Sequence, residues 1–212
     1  MVLLLRRMPD YAAPMLPLDL LRTGAFGLTV ATSVASFAAQ MMEMTALPFL
    51  FHDGFGFSPE LIGLAMVPWP LTLAIAAPAA GRLADRVPAS WLCASGLSVL
   101  ALGLLALGHL PDSPAIWEIG WRMALCGVGF GLFQTPNNRA LILSAPASRA
   151  GATSGMMSTA RLFGQAIGAA LVALLLRLLP EAGAISAIVA AAGFAACGAI
   201  LSLLRLREAA DQ

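Results

Sequence analysis

The chain has 212 residues, of which 59% are hydrophobic and 11% are charged, and its formal net charge is +1. A soluble domain carries about 25% charged residues, so this chain has too little polar surface to cover a core in water. The composition therefore excludes an ordinary water-soluble domain, indicates a lipid bilayer as the solvent, and gives no reason to expect a nucleic-acid partner.

Residues 1–23 precede the first predicted span. Residues 1–5 are apolar and are followed by Arg6 and Arg7. A secretory signal peptide has the reverse order, with its charge before the apolar stretch. We therefore expect residues 1–23 to be the end of an upstream helix followed by a cytoplasmic linker.

Six later stretches each hold roughly the 20 apolar residues that a spanning helix needs. They are residues 24–51, 59–81, 90–110, 116–135, 153–179 and 183–204. Gly, Pro and charged residues separate them, as expected for turns, including a long break over 136–151. The sequence predicts an all-α polytopic membrane protein, with a six-helix bundle over residues 24–205 and a cytoplasmic tail over 206–212.

The twelve basic residues are all arginines, and their positions predict the topology. Arginines favour the cytoplasmic ends of spans. If the N-terminus is cytoplasmic, only Arg177 lies near an outer boundary. Nine arginines then lie on the inner side: Arg6, Arg7, Arg22, Arg82, Arg86, Arg139, Arg149, Arg205 and Arg207. We expect a multi-pass protein of the inner (plasma) membrane with both termini in the cytoplasm.

The turn after the second span reads GRLADRVP over residues 81–88. It resembles the major facilitator superfamily loop motif G-x-x-x-D-R-x-G-R-[RK], with Gly81, Asp85 and Arg86 in register. Residues 88–90 lack the later glycine and basic residues, a degeneracy typical of the second half of such transporters. We expect Asp85 to act at a helix end and Arg86 to pair with a nearby carboxylate, locking one conformation. A solvated turn with two topological arginines is the alternative.

Three further segments carry the resemblance. Residues 127–139 (GVGFGLFQTPNNR), 149–155 (RAGATSG) and 161–168 (RLFGQAIG) look like the fourth and fifth helices of the C-terminal half in the fourteen-helix drug:proton antiporter family. Residues 14–22 resemble that family's linker into its second bundle. The resemblance implies half of a major facilitator fold, in a secondary transporter that exports small organic or drug-like compounds by proton antiport and alternating access, without a cofactor.

Transporters of this superfamily have twelve or fourteen helices, whereas six are predicted here. We therefore expect the partner to be a missing N-terminal half or a second six-helix chain, besides the bilayer, a small-molecule substrate and protons. Proton-coupling carboxylates of the family usually lie in the N-terminal half. A scaffold or channel-like subunit without transport of its own remains the alternative.

Glycines recur at a spacing of four in the fourth and fifth predicted spans. The pairs are Gly127 and Gly131, Gly151 and Gly155, and Gly164 and Gly168. Small residues at this spacing share a helix face and allow close helix packing. The glycine string follows no strand, so a nucleotide-binding loop is excluded. We expect both spans to pack tightly against their neighbours.

Polar side chains at membrane depth are costly and are functional candidates. The candidates for a substrate or proton pathway are Gln40, Glu43, Arg122, Gln134, Asn137, Asn138, Arg161 and Gln165. Glu43 is flanked by methionines, which suit varied apolar ligands, and no basic residue is close in sequence. Our hypothesis is that Glu43 faces the central cavity, near a cationic substrate or a proton-coupling step.

Two of the arginines have a second interpretation. Arg122 follows Glu118 by one helical turn, so the two side chains are expected to neutralise each other near the outer interface. Arg161 either snorkels to the cytoplasmic surface or faces a water-filled pathway. Arg161 and Gln165 are four residues apart and therefore share one face.

Enzymatic chemistry is not expected. Six-helix intramembrane serine proteases carry G-x-S-G and a histidine within a helix. Ser154 and Gly155 lack the leading glycine, and His52 and His109 fall at loop edges, so no nucleophile has a base beside it. The three cysteines are scattered through apolar runs, without the spacing of a metal site.

Overall fold

The structure is a computed structural model that describes residues 24–144 and 150–210. The predicted linker and upstream helix end (residues 1–23), Arg149 and the last two residues of the predicted tail lie outside the described residues. The described part consists of helices joined by short turns, as expected for an all-α bundle.

The helices are named here in chain order. Helix α1 is Gly24–Phe49, continued by a π-helical turn over Leu50–Gly54, and it is followed by α2 (Pro59–Met66), α3 (Pro68–Leu83), α4 (Ala89–Gly108), α5 (Ile116–Leu143), α6 (Ala150–Leu178) and α7 (Gly183–Ala210). Helices α2 and α3 together form the second span. By length and composition, five spans are apolar enough to cross a membrane. The exception, α5, has 28 residues and is more polar, yet it packs as one helix of the same bundle.

Proline interrupts the second span but not the fourth. Pro68 has no N–H to donate to the Leu64 carbonyl, which instead accepts from Val67 at 3.3 Å, and a new helix begins at Pro68. Pro136, in contrast, lies inside α5. The predicted break after residue 135 is therefore wrong, because packed neighbours in a bundle compensate for one missing backbone bond. Helix α7 likewise continues to Ala210, beyond the predicted boundary at residue 205.

The helices pack in a row whose neighbours are, in order, α3, α5, α4, α7, α1 and α6. The row curves, so that α1 and α5 also touch each other. Aromatic rings fill the space where they meet: the Phe37 and Phe130 ring centroids lie 5.6 Å apart, and those of Trp69 and Phe130 are also 5.6 Å apart. Helices α3 and α6 are therefore the two ends of the row, on either side of the meeting point of α1 and α5.

Glycines bring three of these pairs into backbone contact. A Cβ atom on Gly127 of α5 would overlap the Trp69 carbonyl oxygen of α3, and one on Gly131 would lie 2.8 Å from the Ala76 Cβ atom. A Cβ atom on Gly129 of α5 would lie 2.5 Å from the Leu100 nitrogen of α4. A Cβ atom on Gly164 or Gly168 of α6 would lie 2.5 Å from a carbonyl oxygen of α1. Such distances exclude any larger residue without movement of a backbone. The predicted close packing of the fourth and fifth spans is confirmed at these positions.

The prediction is wrong for Gly151 and Gly155, which have no described atom within 4 Å of an added Cβ. They lie at the start of α6, one of the two least buried spans. In its apolar window only 22% of residues are buried, and in the α2–α3 span 17%, against 44% to 61% in the first, third and sixth spans. Leu71 and Ile75 of α3 and Phe163 of α6 are more than half exposed. The side of the bundle between α3 and α6, called the open side below, is therefore uncovered.

Candidate functional site

A small groove lies on the open side, where α1, α5 and α6 meet. Its volume is about 40 Å³, and it is lined by Phe37, Gln134, Asn138, Met157, Ser158 and Arg161. Gln134 and Asn138 are one turn apart on α5, and Ser158 precedes Arg161 by nearly one turn on α6, so each pair shares a face. The structure thus brings together three of the predicted pathway residues, Gln134, Asn138 and Arg161, from two separate spans.

The polar side chains of Arg161, Gln134 and Asn138 in this groove make no hydrogen bond with the described residues. Arg161 is exposed and forms no ion pair or hydrogen bond with any residue of 24–144 or 150–210. Arg161 lies eleven residues after the first residue of α6, or about 17 Å along a helix at 1.5 Å per residue. The whole of helix α6 is about 43 Å long by the same rise, so the Cα atom of Arg161 lies near the middle of the helix.

Gln40 and Gln165 lie close to the groove without lining it. Gln165 is half-buried and follows Arg161 by one turn of α6. Gln40 is half-buried on α1, three residues after Phe37, and its buried Oε1 atom has no hydrogen-bond partner among the described residues. By helical spacing both extend the polar face of the groove away from the start of α6.

Glu43 is placed differently from expectation. It does not face an open cavity: its side chain is fully buried among α1, α3 and α5. The Trp69 indole and the Cys126 thiol face the carboxyl group. Neither closes a hydrogen bond of normal geometry, and both carboxyl oxygens are without a partner in the described part. Because an unpaired buried carboxylate costs several kcal/mol, the neutral acid is the form that fits this pocket. Its pathway role remains a prediction.

Asn137 and Asn138 are adjacent in α5, but their side chains point to different faces of the helix, and only Asn138 lines the groove. The Asn137 side chain is fully buried, and its Nδ2 group donates a hydrogen bond to Ser33 Oγ of α1 at 2.7 Å. The Oδ1 atom has no partner among the described residues. The contact holds α5 against α1 beside the groove, so the structure gives Asn137 a place in the helix interface.

The expected mutual neutralisation of Glu118 and Arg122 is wrong. Glu118 Oε2 accepts a hydrogen bond from the Ala115 backbone N–H at 2.8 Å and so caps the start of α5. Arg122 Nη1 donates to the Glu118 carbonyl oxygen at 2.6 Å, and its guanidinium group lies 4.4 Å from the Trp121 ring centroid. Arg122 has no salt bridge within the described residues, and it lies at the opposite end of α5 from the groove.

The loop motif forms an ion pair that the sequence did not indicate. Asp85 Oδ1 accepts a hydrogen bond from Arg139 Nη1 at 2.6 Å, with both side chains at least half exposed. Helix α5 reaches the loop because it continues past Pro136. The expected carboxylate partner of Arg86 is not found in the described part of the chain. A Cβ atom on Gly81 would be in ordinary contact with Thr135, at 3.5 Å.

Sequence reasoning missed a buried polar cluster around Arg205 and used that residue only as a marker of topology. Arg205 of α7 is 6% exposed. Its Nε group donates to Ser90 Oγ of α4 at 2.8 Å, and its Nη1 group donates to Thr29 Oγ1 of α1 at 2.9 Å. The sequence did contain one indication of this cluster, because a hydroxyl residue lies near the inner end of each of the three spans: Thr29, Ser90 and Ser202.

Comparisons with known proteins agree with this architecture. The family profile described as Major Facilitator Superfamily matches residues 6–169. The uncharacterized transporter YebQ of Escherichia coli is 48% identical over 207 residues, which cover 98% of this chain and 45% of that protein. The multidrug resistance protein Stp of Mycobacterium tuberculosis is 36% identical over 157 residues, or 73% of this chain and 29% of Stp.

The multidrug efflux pump LfrA of Mycolicibacterium smegmatis is 26% identical over 168 residues, which cover 79% of this chain and 33% of LfrA. The chain thus spans less than half the length of each of these relatives. The family match covers more than half of the chain and coincides with a bundle of membrane-length helices. The chain therefore belongs to the Major Facilitator Superfamily, as one six-helix half of its fold.

Proposed function

We propose that this chain is one half of a secondary transporter that exports small organic compounds by proton antiport and alternating access. The observation that carries the proposal is the polar groove on the open side, at the junction of α1, α5 and α6. Secondary transporters bind substrates near the bilayer midplane, at the interface between two repeats. The relatives named as multidrug resistance and efflux proteins support export as the direction.

The partner in this proposal is a second six-helix half, either in the same polypeptide or in another chain. Exposed leucine, isoleucine and phenylalanine side chains on α3 and α6 suit a lipid or a protein neighbour equally. The groove at the junction of α1, α5 and α6 does not suit lipid, because an arginine with two amides is costly against hydrocarbon. A protein half placed across the open side would enclose the groove and leave a water-filled path to it.

Glu43 is the candidate proton carrier within this half. Its carboxyl group is sealed in the bundle, without a cation beside it, where the neutral acid is favoured. Helix movements that admit water to the pocket would favour the charged form, and such a change couples proton release to conformation. A cationic substrate beside Glu43 fits less well, because this conformation leaves no space around the carboxyl group.

The proposed location is the inner membrane, with both termini in the cytoplasm. Among the described residues, the inner ends of the spans carry Arg82, Arg86, Arg139 and Arg205, and the outer ends carry Arg122 and Arg177. Reporter fusions at residue 54 and at the C-terminus test this orientation. Alkaline phosphatase should be active at residue 54 and inactive at the C-terminus, and the opposite result would reverse the topology.

No enzymatic step is part of the proposal. Ser154 lies in the first turns of α6, whereas His52 follows α1 and His109 follows α4, at the other ends of spans. A serine nucleophile needs its base within hydrogen-bond reach. The described residues therefore offer Ser154 no histidine partner.

The test is an efflux measurement. The coding sequence of this chain, expressed with the coding sequence that flanks it in its genome, should lower the accumulation of fluorescent organic compounds in cells lacking their own efflux pumps. A protonophore should abolish the effect. Unchanged accumulation across anionic, neutral and cationic compounds would contradict export, and efflux that persists with the protonophore would contradict proton antiport.

The Glu43→Gln variant tests the carrier in the same assay. We expect efflux to fall at least about tenfold, the size of a typical lost proton-transfer group, at an unchanged level of folded protein. Glu181→Gln is the matched control, because Glu181 is an exposed carboxylate in the outer turn before α7. Efflux equal to that of the unmodified protein in Glu43→Gln would exclude Glu43 as the carrier.

A further inference from the structure

We propose that the groove is an anion subsite, in which Arg161, Gln134 and Asn138 bind an acidic group of the transported compound. The acidic group is a carboxylate, sulfonate or phosphate attached to an organic body. This inference rests on the proposed function, because it names the class of substrate that the same groove takes.

Charge is the first argument. Arg161 is the one charged side chain among the six residues that line the groove. None of the other five lining residues is acidic. Among the described carboxylates, Asp53, Glu60, Asp112, Glu118 and Glu181 are at outer turns or outer helix ends, Asp85 is paired with Arg139, Glu43 is sealed in the bundle, and Glu208 is in the last turn of α7. Low-dielectric walls strengthen the field of an uncompensated charge, so the groove attracts anions and repels cations.

Hydrogen-bonding capacity is the second argument. A guanidinium group presents a planar fork of donors that matches the two oxygens of an acidic group. The Gln134 and Asn138 amides add donors from the facing helix, and the Ser158 hydroxyl adds one beside Arg161. Within the described part of the chain, the side chains of Arg161, Gln134 and Asn138 make no hydrogen bonds. The donors are therefore available to a ligand without the loss of an internal contact.

The remaining two lining residues are apolar. Met157 supplies an adaptable, partly buried apolar side chain on α6, and Phe37 of α1 also lines the groove, with its ring buried against Phe130. Ligand sites typically combine such apolar walls with a few polar groups that fix orientation. At about 40 Å³ the groove has room for the acidic group alone, with an apolar side chain at its edge, and the organic body would extend beyond it across the open side.

An anionic lipid headgroup carries the same chemistry from a different source. Headgroups lie at the ends of spans, whereas Arg161 starts about 17 Å into α6 by helical rise. The two amides of α5 that face it are also within the bundle. An arginine side chain also reaches toward the start of its helix, where headgroups lie, so the experiment is designed to separate the two sources.

The experiment measures equilibrium binding to the full transporter in nanodiscs of phosphatidylcholine. The probes are 8-anilinonaphthalene-1-sulfonate and N-phenyl-1-naphthylamine, which share one aromatic scaffold and differ in the sulfonate. We expect Arg161→Gln to weaken sulfonate binding at least about tenfold, the cost of a lost charged hydrogen bond, and to leave the neutral amine unchanged. Arg161→Lys should lose less, because it keeps the charge without the fork.

Arg177→Gln is the matched control, since Arg177 is an exposed arginine in the last turn of the same helix. Equal sulfonate affinity in Arg161→Gln and the unmodified protein would overturn the subsite, as would equal losses for both probes. Repetition in nanodiscs that contain phosphatidylglycerol tests the lipid source. If phosphatidylglycerol displaces the sulfonate from the unmodified protein but has no effect on Arg161→Gln, the site binds headgroups and the proposal is wrong.

The two proposals fail separately. Arg161-dependent binding in a protein that shows no efflux would contradict transport and leave the subsite intact. Efflux of neutral or cationic compounds alone, with no Arg161-dependent binding of the sulfonate, would contradict the subsite and leave transport intact.

Discussion

The two sides of the bundle, on either side of helix α5, hold an arginine in different ways. On the side of α4 and α7, backbones touch at glycines, and Arg205 is buried with hydroxyl partners from α1 and α4. On the open side, an added Cβ on Gly151 or Gly155 would meet no described atom of another helix, and Arg161 is exposed, with no ion pair or hydrogen bond to a described residue. An arginine inside a span is therefore a structural residue or a ligand-binding candidate according to its neighbours, and not according to its depth.

The largest expected effect is the loss of stability when a glycine between α4 and α5 is replaced. In Gly129→Leu the side chain would meet the Leu100 nitrogen at 2.5 Å and the Gly96 carbonyl oxygen at 2.7 Å, so helices α4 and α5 must separate. We expect a loss of more than about 3 kcal/mol, beyond the usual range for overpacking, and little monodisperse protein in size-exclusion chromatography. Gly155→Leu on the open side should keep the normal yield, and equal yields of both variants would contradict the contrast.

A smaller effect is expected from the two arginines. Arg205→Gln removes hydrogen bonds to Ser90 and Thr29 across three helices, and we expect a loss of about 2 kcal/mol, measured as a lower thermal unfolding midpoint in detergent. Arg161→Gln should leave the midpoint unchanged, because no internal contact of Arg161 is lost. A drop of similar size in both variants would show that Arg161 also has a structural role.

The smallest effect concerns the Asp85–Arg139 pair at the inner end of the open side. Its side chains are 62% and 50% exposed, and exposed ion pairs contribute at most about 1 kcal/mol. In a double-mutant cycle of Asp85→Asn and Arg139→Gln, we expect a coupling energy below about 1 kcal/mol that decreases further at high salt. A coupling above about 2 kcal/mol would show that the pair clamps the loop to α5.

Much of the fold was predictable because hydrocarbon demands long apolar helices, and the six stretches follow from this demand alone. The neighbours of each helix were not predictable in the same way. The partners of Arg205 lie more than a hundred residues earlier in the chain, so no local pattern reports them. The spacing of Gly151 and Gly155 matches that of Gly164 and Gly168, yet only the second pair is packed.

The candidate site shows the same division. Their polarity at membrane depth identified Gln134, Asn138 and Arg161 as candidates. That they line one groove became visible only in the structure, because they come from two different helices. Glu43 is also a polar residue at membrane depth, but it is buried under α3 and α5 and does not line the groove. Helical periodicity predicts which residues share a face and does not predict which helix packs on that face. The end of α5 was misplaced because a rule learned in water, that proline ends a helix, is weaker inside a bundle.

The interruption of the second span at Val67 has a mechanical consequence. Pro68 and Pro70 donate no backbone hydrogen bonds, and the two bonds that bridge the junction, Val67 to Leu64 and Leu71 to Val67, are both long at 3.3 Å. Elastic resistance to bending is therefore lowest at this point of the span. The eight-residue outer helix α2 is thus joined to α3 by a junction that bends more easily than either helix, and α3 itself packs along α5. A bend at Val67 would move α2 against α5, which it also contacts, and would leave the residues that line the groove on α1, α5 and α6 in place.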